Sequence, residues 1–443
     1  MADSVSFSNL DKALSAAKIL SQPWYSHFSG VSFDSEAAEL MQNCTWPSTK
    51  KEAWKYTNIL SLAQLDFWLP EQNLPPVLPS EWQTLLNDDF DSSYVFWNGV
   101  FCPALSKIKK TQEYSFSRLS GLSSNAGAEN QKSLKCEVES SSELERINRL
   151  LLSDLFTFEV QKNTKLKKPV AFLFMNSSEL NRPQIHSSRL RFTMNEFSEA
   201  SVLEIHAGLK SNPNQVESHF TEAKLQVSSQ FEHIFMNATA AGYSNFFTKK
   251  FELSRSSQLK SLHLDLGGDL SRTETFVNLN EPLAEAFVNG VYLAQDKQHI
   301  DHEGIISHKS PETISHQCFK GILSDFSKGV FNAKVRIEPG ASKSSAAQLN
   351  KNLLLSRKAE INSLPRLEIF NDDVKATHGS ASGQLDPEQI FYLCSRALSK
   401  DQAIQFLVES YAFEMLENMN PVLANKVGPF VSSKLARFQV GDL

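Results

Sequence analysis

The chain has 443 residues, more than a single domain usually holds, and its composition (41% hydrophobic, 21% charged) is that of a folded globular protein. A net charge of −6 argues against a nucleic-acid footprint, and no apolar run reaches the roughly 18 residues of a membrane-spanning helix. The cysteines Cys44, Cys102, Cys136, Cys318 and Cys394 are odd in number and widely spaced, which argues against a disulfide scaffold, a structural zinc site or a self-contained iron–sulfur site, and fits a reducing cytosol. The opening residues carry an early acid, no Arg and no apolar core, so neither a secretory signal nor a plastid transit peptide is expected.

Three parts follow in chain order. Residues 1–164 read as a mixed helix and strand domain. Leu10, Leu14, Ala17 and Leu20 recur at helical spacing, and Trp54-Lys55-Tyr56-Thr57 opens a short helix or loop. Tyr94 to Trp97, Asn98-Gly99 and Val100-Phe101 predict a tight hairpin, because Asn-Gly tolerates the positive φ of the turn. Residues 115–142 read as a surface loop, and Leu144, Ile147, Leu151 and Leu155 predict a helix from Glu143 to Phe158. From 165 to 385 short alternating runs replace helical spacing: Leu190-x-Phe192-x-Met194, Leu262-x-Leu264-x-Leu266, Ala286-x-Val288 and Val335-x-Ile337. Polar turns separate them and no linker intervenes, so the expected fold is mainly β, a single elongated β-solenoid, although no repeat motif is legible. Residues 386–443 return to helix: Asp386-Pro387 caps one helix, Ser399 a second with the stripe Ile404, Leu407, Val408, Tyr411 and Met415, and Pro421 opens a third.

The chemistry is sparse. His299, Asp301, His302, Glu303, His308, His316 and Cys318 form the densest polar group, but His299 and His302 are three apart and alternation puts them on opposite faces of a strand. Strand-edge histidines outweigh a metal site there. His378 is expected in a Gly/Ser-rich turn, as a ligand, an acid/base or a surface residue, and on the residues alone the surface role prevails. Phosphate-loop, dinucleotide and nucleophile-elbow motifs are absent, so no nucleotide site of its own and no enzyme activity is expected.

The order His302…His308, Phe319 to Leu323, Gly329 to Asn332, Gln348-x-Asn350-x-Asn352 to Ser356, Pro365-x-Leu367 to Lys375, His378-Gly379, Gly383 to Asp386 and Phe391-Tyr392-Leu393-x-Ser395-Arg396 resembles the SufB/SufD family of iron–sulfur cluster assembly scaffold subunits. Trp54 to Thr57 is similar to its N-terminal aromatic-basic motif. Asn350 stands where B-type chains carry a cysteine, and His378-Gly379-Ser380 where they tend to read His-Glu-Ala, so the D-type subunit is the nearer match. The resemblance implies a right-handed parallel β-helix core between an N-terminal α/β domain and C-terminal helices. It implies a bacterial cytoplasmic heterodimer with a SufB-like paralogue, each subunit carrying a SufC-like ATPase, with a homodimer as an alternative pairing. It further implies that His378 faces the partner, as a candidate ligand of a transient, shared iron–sulfur cluster, and that Phe391, Tyr392, Arg396, Leu407 and Tyr411 lie in the ATPase-docking region. Two other readings are an independent His-rich metal-binding solenoid using His299, His302 and His308, and a β-helix enzyme acting on polysaccharide.

Overall fold

The computed structural model describes residues 28–29, 47–62, 65, 67–68, 77–119, 142–151, 155–177, 182–209 and 214–438. Cys44, Cys136 and the expected N-terminal helix at Leu10 to Leu20 lie outside them. The N-terminal part contributes strands β1 (Phe28–Ser29), β2 (Phe67–Trp68), β3 (Ser92–Trp97), β4 (Val100–Phe101), β5 (Tyr114–Leu119) and β6 (Leu155–Val160), with helices α1 (Ser80–Leu85) and α2 (Glu143–Leu150). The Asn98-Gly99 hairpin forms as expected, with φ of 50° and 81°, and joins β3 to β4. Two expectations change. The loop expected from 115 begins as strand β5, and the helix expected to Phe158 stops at Leu150. Its last residues, from Leu155, instead begin β6 (Leu-Phe-Thr-Phe-Glu-Val), because β-branched and aromatic residues pair better with β5 and β8 than they propagate a helix.

The core is a two-sheet β-solenoid. Its strands are β7 (Val170–Asn176), β8 (Gln184–Met194), β9 (Glu199–Gly208), β10 (Gln215–Leu225), β11 (Gln230–Ala238), β12 (Tyr243–Leu253), β13 (Gln258–Asp265), β14 (Leu270–Leu279), β15 (Glu285–Ala294), β16 (His299–His308), β17 (Ile314–Leu323), β18 (Lys328–Ile337), β19 (Ser345–Leu354), β20 (Glu360–Ile369) and β21 (Lys375–Gly383). Even-numbered strands stack in parallel as one sheet, odd-numbered strands as the other. Parallel in-register stacking sets like positions above one another. Phe96, Phe174 and His206 therefore form a vertical stack, with centroids 4.3 and 4.9 Å apart.

The corners repeat where the sequence shows no motif. At four corners a residue with φ near +57° precedes a hydroxyl that donates to the carbonyl three residues back: Phe197/Ser198, Ser228/Ser229, Ser256/Ser257 and Glu312/Thr313; between the last two, Leu283/Ala284 keeps the angle without the hydroxyl. At the three serine corners the same carbonyl also accepts the serine's own N–H, so backbone and side chain together close the turn.

Both sheets are partly covered on their outer faces, so many of their residues are buried on two sides. The lumen holds Leu190, Phe192, Phe231, Val288 and Val335. The outer face of the odd sheet, with Leu203, Ile234, Leu262, Leu264, Val291 and Ile322, packs against helices α3 (Pro387–Ser395), α4 (Lys400–Phe413) and α5 (Pro421–Leu435), chiefly through Ile404, Val408, Leu423 and Val427. The caps are those expected: Asp386 accepts from the Glu388 N–H, and Ser399 forms a capping box with Gln402. On the outer face of the even sheet lies the Trp54 segment, a 3-10 turn at Glu52–Trp54. Trp54 lies 3.9 Å from the Arg272 guanidinium, and Thr57 Oγ1 donates to Asp301 at 2.5 Å and contacts His299 Nε2 at 2.9 Å. The aromatic-basic motif is thus a clamp on the solenoid.

Candidate functional site

The solenoid ends openly at its C-terminal side. β20 pairs only with β18 and β21 only with β19, so each leaves one edge of N–H and C=O groups unpaired among the described residues. Pro365, which lacks a donor, sits inside β20 and not at its boundary, a position an edge strand tolerates. β21 reads Lys-Ala-Thr-His-Gly-Ser-Ala-Ser-Gly, small and exposed.

His378 lies in this strand, exposed, and not in a turn as expected. The Gly and Ser residues that resemble a turn are small enough to add one more rung, and β19 supplies the register. His378 aligns with Gln348, which aligns with Gln317 and then Val288, a lumen residue. His378 therefore continues a lumen column at its open end. Beneath it Gln348 Nε2 donates to Gln317 Oε1 at 2.8 Å, while Gln348 Oε1 is buried without a partner. Next to this column runs a hydrogen-bonded thread. Buried Tyr292, whose phenol is pushed up by burial, donates to Asn352. Asn352 donates to Asn350 at 2.7 Å, Ser363 donates to Asn350 at 2.8 Å, and Ser380 donates to Ser363 at 2.8 Å. A buried polar path thus reaches the surface two residues from His378.

Deeper in the lumen stands an ionisable cluster that the sequence reading missed. Glu204 receives Thr221 Oγ1 at 2.8 Å and lies 3.1 Å from His206 Nε2, 2.7 Å from His219 Nε2 and 2.8 Å from His233 Nε2. Burial works against its charge, but these partners hold its carboxyl well below the usual range. Burial likewise opposes a charged His206, yet Glu217 at 2.6 Å and Glu204 raise it to about 9.

The segment from 174 to 411, more than half of the chain, matches the family model described as SUF system FeS cluster assembly, SufBD core domain. The chain belongs to the SufBD family. It is 25% identical over 391 residues to an iron–sulfur cluster assembly SufBD family protein of Synechocystis, covering 86% of each chain. It is 25% identical over 378 residues to the iron–sulfur cluster assembly protein SufD of Escherichia coli, covering 84% of this chain and 85% of that one. It is 22% identical over 388 residues to a chloroplastic Arabidopsis protein, ABCI7, covering 86% of this chain and 81% of that one. Membership supports a role in SUF-system cluster assembly.

Within this SufBD chain the other expected residues fall as follows. Phe391 and Tyr392 are exposed on α3 and Arg396 at its C-cap, where the Arg396 guanidinium lies 5.3 Å from the Tyr392 ring. Leu407 and Tyr411 turn inward against the odd sheet, where Lys320 Nζ donates to the Tyr411 carbonyl at 3.0 Å. Phe406, 56% exposed and off the apolar stripe of α4, joins the exposed aromatics instead, and its off-stripe position was the available signal. The His299 group disperses. His299 faces Thr57 outside, His302 and His308 face the lumen, and His316 is exposed. Cys318 stands two strands below Gly379 on the opposite face of the sheet from His378, its thiol raised by burial. No helix among the described residues is long and apolar enough to cross a membrane.

Proposed function

We propose that the chain is a non-catalytic D-type scaffold subunit of the SUF system, which builds iron–sulfur clusters at its interface with a SufB-like subunit in the cytoplasm. The observation that carries this reading is His378 in the last rung of the solenoid, exposed beside two unpaired strand edges. One imidazole cannot hold a cluster, which needs several ligands, usually thiolates. The same imidazole on an edge that invites a second chain can complete a ligand set contributed from both sides. The cluster is cargo, held transiently and shared, and a SufC-like ATPase drives its handling. The exposed aromatics Phe391 and Tyr392, with Arg396, have the composition of an interface anchor and are assigned to ATPase docking.

Co-expression with SufB-like and SufC-like chains is expected to give one complex on anaerobic affinity purification. His378→Ala leaves that complex intact and lowers iron and sulfide incorporation by roughly tenfold, the scale of losing one metal ligand or its support. Unchanged incorporation would remove His378 from the site. In the same purification, Phe391→Asp weakens ATPase capture by about tenfold or more, as for a buried aromatic anchor. Full retention would place the docking surface elsewhere.

A further inference from the structure

A second histidine group in the lumen differs from the Glu204 cluster. His263 and Asp265 lie two apart on β13 and both face inward, and His302 faces them from β16 of the other sheet. The His263 and His302 rings meet edge to face with centroids 5.0 Å apart. One ligand atom from each of the three residues lies within 4.8 Å of the others, and His263 Nε2 is 3.6 Å from Asp265 Oδ2. All three residues are at most 4% exposed.

In the Glu204 cluster both ring nitrogens of His206 and of His219 have hydrogen-bonding partners. In the second group His263 Nε2 and His302 Nε2 are buried and have none. Each such atom forfeits its water without replacement. Two of them beside a carboxylate, on residues from different coils, form a donor set that a single cation would satisfy.

We propose that His263, Asp265 and His302 bind one divalent transition-metal cation in the lumen of the solenoid.

Two donors bound at about 2.1 Å to one ion in tetrahedral geometry lie about 3.4 Å apart, close to the 3.6 Å between His263 Nε2 and Asp265 Oδ2, and His302 must move in by about an ångström. The supporting shell is in place. Asn237 Nδ2 donates to Asp265 Oδ1 at 2.8 Å and Ser271 Oγ to Oδ2 at 2.5 Å, which orients the carboxylate and leaves lone pairs for a metal. Lys249 Nζ, 2.9 Å from His263 Nδ1, occupies the other side of that ring, so Nε2 is the donor left. Burial holds both imidazoles well below their usual range, which keeps them in the neutral, ligating form. Two imidazoles and one carboxylate with open positions suit Fe(II) or Zn(II), and not Ca(II) or Mg(II), which prefer all-oxygen shells. A surface groove of about 990 Å³ is lined by Leu266, Gly267, Gly268, Thr239 and Lys434, and the Gly267-Gly268 corner follows Asp265 almost directly in the chain. That corner is tight, since a Cβ on Gly267 would lie 2.2 Å from the Thr239 carbonyl oxygen.

The site stands apart from His378. In the odd sheet β15, β17 and β19 intervene between β13 and β21, so the inference holds whether or not His378 serves cluster assembly.

The test uses the full chain, purified anaerobically without partners, stripped by chelator, then dialysed against Fe(II), Zn(II) or Ca(II) in separate arms. Metal analysis is expected to give about one equivalent of Fe(II) or Zn(II) per chain and none of Ca(II). X-ray absorption at the metal edge is expected to show nitrogen and oxygen neighbours with two imidazoles. His302→Gln and Asp265→Asn lower retention about tenfold or more, while His378→Ala retains the metal. Competition between the two ions reports which is preferred. Absence of stoichiometric Fe(II) and Zn(II) in the folded wild type overturns the proposal, as does undiminished retention in folded His302→Gln and Asp265→Asn. If those variants fail to fold, the absorption spectrum of the loaded wild type decides: sulfur neighbours, or no imidazole, overturn the assignment.

Discussion

Moving the chain from pH 7.5 to pH 5 is expected to remove stability through its lumen histidines, and His308 gives the cleanest measure. His308 is 0% exposed, with Nδ1 2.8 Å from Thr313 Oγ1 and Nε2 2.8 Å from Ser315 Oγ. Burial alone pushes it down to about 4, with no charged group contributing. The unfolded chain takes up this proton near 6.5, before the folded chain does, so the contribution is complete above 6.5 and is lost as the pH falls towards 4. At pH 5 the loss is about 2 kcal/mol. His186, likewise held at about 4 by burial, acts in the same sense. Glu303, raised to about 8 by burial on the outer face, acts in the opposite sense, because its folded form holds a proton that the unfolded form has released. The readout is therefore a difference. Urea unfolding of His308→Gln, which cannot titrate, is expected to show a pH 7.5 to pH 5 change about 2 kcal/mol smaller than wild type. Identical pH dependence in the two chains would show that His308 does not titrate as a buried neutral ring. On the alkaline side His206 acts oppositely: raised to about 9, it stabilises fully below 6.5 and loses that contribution as the pH rises through 9.

The second large effect is expected at Arg272, which is 0% exposed beneath the N-terminal clamp. Its guanidinium is paired with Asp301, 3.2 Å from Glu274, 3.8 Å from Glu303 and stacked under Trp54. Asp301 and Glu274, both buried, share that one cation, with Glu303 held protonated beside them. Arg272→Met leaves them uncompensated and is expected to cost about 3–5 kcal/mol in urea unfolding, the scale of breaking a buried ion pair from one side. Arg272→Lys recovers only part of this, because an ammonium has neither the planar fork nor the flat face that lies on Trp54. A loss below about 1 kcal/mol for the Met variant would mean that the carboxylates neutralise themselves by taking up protons.

The solenoid was legible because one face of a strand such as β13 is apolar while the other carries polar or small residues, which writes alternating runs. Which face a run serves was not. Leu190, Phe192 and Met194 point into the lumen, but Leu262 and Leu264 point out towards the C-terminal helices. On β13 the inward positions are then Ser261, His263 and Asp265, which the alternation rule assigns to solvent. The polar lumen was thereby hidden, and with it the neighbour relation of His263 to His302 across the two sheets. The corner repeat was hidden for another reason. Ser244 stacks on Leu270 while Lys328 stacks on Glu360, so coil length is uneven and the shared feature is a backbone angle with a hydroxyl, not a fixed period. The helix caps at Asp386 and Ser399 were readable because capping is local chemistry. His378 was readable as chemically isolated, but its strand was not, since Gly and Ser punctuate loops as readily as they fill an exposed last rung.

The clamp also sets an order of events during synthesis. Thr57 meets Asp301 across 244 residues, and Glu52 meets Arg366 across 314. Each coil of the solenoid can stack on the one before it as it leaves the ribosome, since its contacts reach back only one turn. The Trp54 segment emerges early, but the partners of Trp54 and Thr57 arrive only when β14 and β16 have formed. It is made among the first parts of the protein and settles among the last, and until then Trp54 and the face of Arg272 stay open to whatever binds nascent chains.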